Sequence, residues 1–328
     1  MTLERRIHRC LAAAVAIGAL FTAGTAAAQA SNYPSRPIRF IVPFGPGSGT
    51  DTSARYFAEK LQKITGQAVI VENKAGGNGF IAVNTLKSAP ADGYTVFVGS
   101  NSTLAVNVAL FRKLPYDPVT EFAPLTMMMR APAVLAVPVE SKYTSVASLI
   151  AAAKAAPGKL NYGAGSAGYQ LMGELFNDMA QVKVEHVPFK SAAEALTATM
   201  GSTVDMTFSD ITAAYTIVSG GKLRALAVAS DHRSKALPDV PTMAEAGLPG
   251  YTAYVWVAAA VLKDTPKAEV DKLAGWLTQI EQMPETQAFY ERLGAETMKG
   301  GPQEMHDFQV ADIVQWKRIA TKAKVELE

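Results

Sequence analysis

Apolar residues come in short blocks along this chain, and blocks of two different periods alternate. A continuous run predicts a buried strand at residues 38–42, and apolar positions at helical spacing follow at 54–64. The pattern then predicts a strand at 68–72, a helix at 80–87 and a strand at 94–98. Short strands separated by helices are typical of right-handed β-α-β units on a parallel sheet.

A second series with the same alternation follows. Its predicted helices are 146–155, 170–179, 192–200 and 213–218, and its predicted strands are 160–162, 184–188, 204–208 and 223–229. Between the two series, the extended segment 122–137 is interrupted by Pro132, which predicts a pair of strands, bent at the proline, that crosses from one lobe to another. A strand at 255–261 would complete the first sheet, before helices at 267–282, 284–293 and 302–325.

A glycine-rich loop at residues 43–51 separates the first strand from the first helix. The first N–H groups of a helix have no partner within it, so a loop of this kind can present them to an anion. Ser48 and Asp51 have the spacing of a capping box and would use part of that capacity. A tight turn that needs glycine for its backbone angles is the structural alternative.

Two more loops, at 73–79 and 99–103, follow strands of the same predicted sheet. The carboxyl ends of parallel strands share one edge, and ligands of open α/β sheets bind at that edge. Asn101, Ser102 and Thr103 in the second of these loops would contact a ligand there or would cap the next helix.

The first thirty residues have the pattern of a secretory signal peptide. Arg5, Arg6 and Arg9 precede an apolar run at 11–21, and the sequence Ala-Gln-Ala ends at residue 30. The run is too short to span a bilayer, and the pattern predicts export with cleavage before Ser31. Cys10, the only cysteine, lies ahead of the apolar run, whereas the cysteine of a lipoprotein follows it.

The net positive charge of the chain comes from this leader. The whole sequence has 31 basic and 29 acidic residues, and the leader holds 3 and 1 of them, which leaves 28 of each. A neutral exported chain lacks the basic surface that nucleic acids and anionic membranes attract. We therefore expect neither as a partner.

The loop at 163–168, Gly-Ala-Gly-Ser-Ala-Gly, comes close to two motifs of enzymes. It fits the dinucleotide pattern G-x-G-x-x-G, but Phe189 and Lys190 follow the next strand where an acidic residue would meet a ribose. It also lies one residue from a nucleophile elbow, with His232 or His306 following, so a secreted serine hydrolase using Ser166 is the alternative function.

Other catalytic patterns are missing from the sequence. The histidines have no spacing that suits zinc, no Walker loop occurs, and no paired carboxylates stand out. We therefore expect no catalytic residues, no metal and no cofactor.

A series of ordered motifs resembles the Bug family, the periplasmic solute receptors of tripartite tricarboxylate transporters. The motifs include Tyr-Pro-Ser-Arg-Pro-Ile at 33–38, Leu-Pro-Tyr-Asp-Pro at 114–118, Pro-Gly-Lys-Leu-Asn-Tyr at 157–162, His-Val-Pro-Phe-Lys at 186–190 and Leu-Pro-Asp-Val-Pro-Thr at 237–242. The resemblance implies an α/β fold of the two-lobed, type II-like periplasmic binding proteins, in which each lobe is a mainly parallel sheet with flanking helices and crossing strands join the two.

The family also implies a domain organisation and a function. Residues 31–129 and 231–328 would form lobe 1, and residues 130–230 would form lobe 2. Such a receptor, a monomer, closes on a small organic anion, usually a carboxylate, and delivers it to an inner-membrane permease. A receptor that has become a signalling partner is a further possibility that the family leaves open.

The resemblance assigns the contacts with the ligand to both lobes. Lobe 1 would contribute Phe44, Gly45, Ser48, Gly49, Thr50, Asp51, Asn101, Ser102 and Thr103. Lobe 2 would contribute Ser166, Ala167, Gly168, Tyr169 and Gln170, with Ser191 and Asp210 near the rim.

The sequence departs from the family pattern at three places in or near this pocket. Gln170 ends a shortened loop where the family has a histidine, residues 191–194 replace a glycine-rich turn, and Phe-Ser-Asp at 208–210 replaces Phe-Asp-Asn. The usual ligand therefore does not carry over. Lys190, the only cation at a strand end of the second series, would be a ligand partner or a solvated surface residue.

Overall fold

The computed structural model describes residues 33–327, and the predicted signal peptide lies outside them. All the elements named below belong to one compact unit that begins at Arg36. No helix within the described residues combines the length and the apolar character that a membrane span requires.

Ten strands in the described part of the chain form one sheet, in the order β2-β1-β3-β9-β4-β7-β5-β6, with β8 and β10 also paired to β4. They are β1 (Ile38–Val42), β2 (Val69–Asn73), β3 (Thr95–Ser100), β4 (Phe122–Pro138), β5 (Asn161–Ala164), β6 (Glu185–Pro188), β7 (Met206–Asp210), β8 (Leu223–Val228), β9 (Tyr254–Leu262) and β10 (Glu296–Thr297). The pairs β1–β2, β1–β3, β5–β6 and β5–β7 are parallel, as the alternation of strands and helices predicts.

Helices flank both halves of the sheet. They are α1 (Gly49–Thr65), α2 (Phe80–Lys87), α3 (Asn107–Leu110), α4 (Val146–Ala155), α5 (Ala167–Ala180), α6 (Ala192–Met200), α7 (Ile211–Ser219), α8 (Lys267–Glu281), α9 (Pro284–Arg292) and α10 (Pro302–Lys322). A 3-10 turn, Gly77–Gly79, precedes α2, and a π-helical turn, Ser102–Val106, precedes α3. The segment 99–103 is therefore not the predicted loop but the end of β3 followed directly by helical residues.

The segment predicted as two strands bent at Pro132 is a single strand of 17 residues, β4. Its first half pairs with β9 as far as Pro132, and its second half pairs with β7 and β8 from Ala133 and Val134 onward. Proline has no N–H to donate, and here it stands where the strand changes partners. The missing donor therefore falls between two ladders and does not break the strand.

Three chain segments meet beside Pro132 in a closed ring of backbone hydrogen bonds. The N–H of Ala133 donates to the carbonyl of Ala253 at 2.9 Å, the N–H of Ala253 donates to Ala229 at 2.9 Å, and the N–H of Ala229 donates to Ala133 at 2.7 Å. We call this set the alanine ring. It ties the chain entering the second half of the sheet to the chain leaving it.

The two halves of the sheet define the two lobes of the fold. Lobe 1 holds β1, β2, β3, β9, β10 and the first half of β4, with α1–α3 and α8–α10. Lobe 2 holds the second half of β4 and β5–β8, with α4–α7. The structure thus has the two lobes and the crossing strands that were predicted, while the exact boundaries at 129/130 and 230/231 stay predictions.

Large apolar side chains fill both lobes. Phe40, Phe57 and Phe97 are fully buried in lobe 1, as are Phe176 and Phe208 in lobe 2. Each such side chain contributes about 2 kcal/mol to folding relative to an exposed position. These cores hold the strand ends, and the loops on them, in place.

Candidate functional site

The glycine-rich loop leads into α1 five residues earlier than predicted, because Gly49, Thr50 and Asp51 already belong to the helix. The predicted cap is present: Ser48 Oγ accepts the N–H of Asp51 at 3.2 Å. The return bond differs from a capping box, since the Asp51 carboxylate accepts the N–H of Gly47 at 3.0 Å. Gly47 has a φ of +82°, which glycine adopts without strain.

The carboxylate of Asp51 braces this loop. One oxygen accepts from Asn73 Nδ2 at 2.8 Å, and the other accepts from Arg55 Nε at 3.1 Å as well as from Gly47. Asn73 Nδ2 also donates to the carbonyl of Phe44 at 2.9 Å. Asn73 is the last residue of β2, so this strand fixes the position of the loop. Contact between Asp51 and a ligand stays a prediction.

A small cavity lies where the two lobes meet. Lobe 1 lines it with Phe44, Ser48, Gly49, Thr50, Ser100, Ser102 and Val255, and lobe 2 lines it with Ser166, Tyr169 and Ala192. Its volume is about 10 Å³, which corresponds to roughly one water molecule. Seven of the ten lining residues are among the predicted ligand contacts, and Ser100, Ala192 and Val255 are not.

Ser102 joins the lobes directly across this cavity. Its Oγ accepts the N–H of Gly168 at 3.1 Å and donates to Ser166 Oγ at 2.9 Å. Ser166 occupies the N-cap position of α5, but its own side chain makes no capping bond. A hydroxyl of lobe 1 therefore satisfies an N–H in the first turn of a helix of lobe 2.

Asn101 lies beside this contact and is fully buried. Its Nδ2 donates weakly to the carbonyl of Tyr254 at 3.4 Å, and its Oδ1 has no hydrogen-bond partner among the described residues. A Cβ on Gly168 would lie 2.8 Å from Ser102 Oγ and 3.3 Å from Asn101 Nδ2. The close approach of the two lobes therefore requires glycine at position 168.

Tyr169 and Asp210 form a buried pair in lobe 2. The Tyr169 hydroxyl donates to Asp210 Oδ2 at 2.7 Å. Burial, and then the neighbouring carboxylate, raise the pKa of Tyr169 well above its ordinary value. The other oxygen of Asp210 accepts the N–H of Ala213 at 3.1 Å and a bond from the hydroxyl of Thr212, so Asp210 caps α7.

The position of Asp210 differs from the prediction. It was expected near the rim, but it is 1% exposed and lies against the start of α1. A Cβ on Gly49 would lie 2.6 Å from Thr212 Oγ1 and closer still to Asp210. The N-termini of α1 and α7, one from each lobe, thus pack directly on each other at Gly49.

Ser191 is also buried rather than at the rim. Its Oγ caps α6 by accepting the N–H of Glu194 at 3.3 Å. A Cβ on Gly45 would lie 3.1 Å from this Oγ, and a Cβ on Gly165 would overlap the Ser191 backbone. The structure therefore brings Gly45 close to Ser191, although neither lines the cavity.

The remaining predicted contacts lie near the cavity without lining it. Thr103 Oγ1 donates to the carbonyl of Ser100 at 3.2 Å, and the carbonyl of Gln170 accepts the hydroxyl of Tyr162 at 3.1 Å. Ala167 opens α5 between Ser166 and Gly168. Ligand contacts of all these residues stay predictions.

A wider groove shares one lining residue, Phe44, with the cavity. Its volume is about 370 Å³, and its lining comprises Phe44, Gly76, Gly77, Asn78, Gly79, Gly165, Pro188, Phe189, Lys190 and Glu194. Lys190 is the only cation among these residues. Four successive positions, 76–79, have positive φ, so backbone rather than side chains forms one wall.

The hydrolase alternative requires a histidine at Ser166, and the described residues place none there. The ring of His186 stacks on Tyr162 with centroids 5.3 Å apart. His232 Nδ1 lies 3.3 Å from Asp231 on the surface, and His306 Nδ1 lies 3.1 Å from Asp307. The hydroxyl partner of Ser166 is instead another serine, Ser102.

Two lobes on one sheet, joined by crossing strands and facing each other with helix N-termini, define the class of periplasmic binding proteins. The family model described as "Tripartite tricarboxylate transporter family receptor" matches residues 53–325. The chain belongs to this family of receptors, in agreement with the resemblance of its motifs.

Individual relatives support the assignment. Protein BugT of Bordetella pertussis is 33% identical over 311 residues, which cover 94% of this chain and 95% of BugT. The solved structure of R. palustris Rpa4515 with adipate has 33% identity and a TM-score of 0.87, covering 90% of this chain and all of that one. MatC from Rhodopseudomonas palustris with bound malate has 28% identity and a TM-score of 0.83, and the match covers 88% of this chain and 99% of that one.

Proposed function

We propose that this chain is exported to the periplasm, captures a small organic carboxylate between its two lobes, and delivers it to an inner-membrane transporter of the tripartite tricarboxylate type. The observation that carries the proposal is the lining of the cavity between the lobes. Both lobes contribute hydroxyl groups and the first turn of a helix there: Ser48 and Thr50 of lobe 1, and Ser166 of lobe 2. Two relatives of the same fold are described with adipate and with malate, both carboxylic acids.

The chemistry of the lining suits a carboxylate. Ionised oxygens accept strong hydrogen bonds from N–H groups at helix starts and from hydroxyls, and no arginine is needed. Four or five such bonds at about 1.5–3 kcal/mol each, less the cost of ordering and closure, give about 8 kcal/mol, the affinity of a micromolar receptor.

Binding would require the lobes to separate and close again. A volume of about 10 Å³ is far smaller than a dicarboxylic acid, so a ligand enters only when lobe 2 moves away from lobe 1. Each lobe supplies part of the donors, so the ligand binds a closed conformation better than an open one and shifts the population toward it.

The groove beside the cavity would receive the far end of a longer acid. Phe44 lines both the cavity and the groove, so a ligand chain that leaves the cavity past this ring would enter the groove. Lys190 is the one cation there and would attract a second carboxylate.

Isothermal titration calorimetry with a panel of mono-, di- and tricarboxylates tests this function. We expect saturable binding of at least one acid, with the acid recovered unchanged. Mass spectrometry of the molecule released from the purified protein would identify the natural ligand. Hydrolysis of ester substrates that depends on Ser166, without binding of any acid, would instead support the secreted hydrolase.

Export is tested separately. We expect the protein in the periplasmic fraction with Ser31 as its first residue, determined by N-terminal sequencing. Recovery of the intact leader in the cytoplasm would contradict the proposed location.

A further inference from the structure

We propose that Ser102 is a latch that holds the two lobes together without a ligand, because its hydroxyl takes the position of a carboxylate oxygen at the start of α5. The inference rests on the proposed function only in taking a carboxylate as the ligand that competes with the Ser102 hydroxyl. The latch itself is a property of the protein alone.

The latch is a pair of bonds from one hydroxyl. Ser102 stands on the π-helical turn after β3 in lobe 1, and it accepts the N–H of Gly168 and donates to Ser166 Oγ, at 3.1 and 2.9 Å. The N–H of Gly168 belongs to the first turn of α5, where no helical acceptor is available. It is one of the groups that an anion at a helix start would use.

The turn is arranged so that the hydroxyl reaches across. Ser100 Oγ accepts the N–H of Ser102 at 3.2 Å, which fixes the residue at the end of β3. Ser102 and Ser166 are 3% and 7% exposed, so little water competes for their bonds. The cavity of about 10 Å³ has room for roughly one water molecule and is far too small for a carboxylic acid.

A second observation points to the same place. Asn101 is fully buried, and its Oδ1 lacks a hydrogen-bond partner in the part of the chain that the structure describes. A Cβ on Gly168 would lie 3.7 Å from that oxygen, so the unsatisfied group faces the start of α5. Opening of the lobes would return the Asn101 oxygen to water. Because its burial without a hydrogen bond costs free energy in the closed conformation, the latch stays reversible.

The latch has a consequence for binding. A carboxylate oxygen that reaches the N–H of Gly168 must displace the hydroxyl of Ser102. The fraction of molecules that is latched is unavailable to the ligand and weakens its apparent affinity by that fraction.

The experiment measures the distance between the lobes without any carboxylate. Cleavage before Ser31 removes Cys10, the only cysteine of the sequence. Spin labels are therefore attached to the mature protein through Asn84→Cys on α2 and Thr197→Cys on α6, two exposed positions on different lobes. Double electron–electron resonance then gives the fractions of short and long distances. We expect mainly the short distance in this background.

Ser102→Ala should shift the ratio of short to long distances roughly tenfold toward long ones, as expected for loss of one or two hydrogen bonds. Ser166→Ala removes one of the two bonds and should produce a smaller shift in the same direction. Ser53→Ala is the matched control, because it deletes a buried hydroxyl of lobe 1 that makes no hydrogen bond to lobe 2 among the described residues. It should leave the distances unchanged.

Unchanged distances in both Ser102→Ala and Ser166→Ala would overturn the latch, as would an equal shift in Ser53→Ala. A loss of acid affinity in Ser102→Ala without any change in the ligand-free distances would also overturn it, and would make Ser102 a ligand contact only. Failure of every acid to bind would contradict the proposed function and leave the distance result standing.

Discussion

Trp256 on β9 donates its indole N–H to the carboxylate of Asp312 on α10 at 2.8 Å, and thereby ties the last long helix to the sheet of lobe 1. The indole of Trp316, one turn further along α10, donates to the same oxygen at 3.0 Å. Burial raises the pKa of Asp312 from an ordinary value of 3.8 to about 6, against the opposing effect of the two indole donors.

This carboxyl group should make folding stability fall as pH rises through the acid range. Between about pH 4 and pH 6 the unfolded chain releases the proton of Asp312 while the folded chain keeps it, so deprotonation favours unfolding. Asp312→Asn keeps an acceptor oxygen and cannot ionise. Between pH 4 and 7, we expect the unfolding free energy of the wild type to fall by up to about 3 kcal/mol relative to this variant, measured by urea denaturation.

Asp307→Asn on the same helix is the control, because the effect of this carboxyl group on stability should change with pH in the opposite direction. His306 and Gln303 lower the pKa of Asp307, so its contribution to stability is present at neutral pH and is lost as pH falls. A stability difference between wild type and Asp312→Asn that stays constant from pH 4 to 7 would contradict the raised pKa.

The bond between Tyr169 and Asp210 should stabilise lobe 2. Tyr169→Phe removes a donor from a buried carboxylate, and we expect a loss of about 1.5–3 kcal/mol of unfolding free energy. Tyr251→Phe is a matched control, because the buried hydroxyl of Tyr251 donates to the neutral carbonyl of Met172 at 2.7 Å. Its loss should be about 0.5–1.5 kcal/mol. Equal losses in the two variants would show that the charge of Asp210 contributes nothing.

Gly49→Ala should impair closure while leaving folding nearly intact. The added methyl group would meet Asp210 and Thr212 of lobe 2, and separation of the lobes relieves this clash. We expect a Tm close to that of the wild type and at least tenfold weaker binding of the acid identified by calorimetry. Gly275→Ala on α8, where a Cβ meets nothing within 4 Å, is the control and should bind normally. Normal affinity in Gly49→Ala would contradict closure at this contact.

Lys190→Gln should weaken the binding of dicarboxylic acids but not of monocarboxylic acids of similar length. If the far carboxylate of a dicarboxylic acid lies in the groove, loss of the cation weakens that acid severalfold and leaves a monocarboxylic acid of similar length unaffected. Lys183→Gln, an exposed lysine of lobe 2 paired with Glu185, controls for general charge. Equal effects of Lys190→Gln on both acids, measured by calorimetry, would contradict a carboxylate in the groove.

Local patterns predict most of the elements because each strand and helix carries its own periodicity. The strand at 38–42 and the helices at 80–87, 146–155 and 192–200 have the predicted bounds. The cap at Ser48 could also be predicted, since it involves residues only three apart. The early start of α1 could not, because Gly49 and Thr50 are poor helix formers that tertiary packing holds in the first turn.

The site was harder to predict because it depends on contacts between distant parts of the chain. Ser102 and Ser166 are 64 residues apart, and no local pattern shows that their hydroxyls meet. Val255 lines the cavity from β9, a strand whose place beside β3 only the topology reveals. The burial of Asp210 has the same origin, since the start of a helix in the other lobe covers it.

The alanine ring places the two ends of lobe 2 within a single hydrogen bond of each other, at Ala133 and Ala229. A segment whose ends coincide in space can be replaced without moving the rest of the protein. Lobe 2 from a relative, spliced at these two alanines, should therefore fold onto this lobe 1. Such chimaeras would recombine the selectivities of two receptors, with this ring as the junction between the parts.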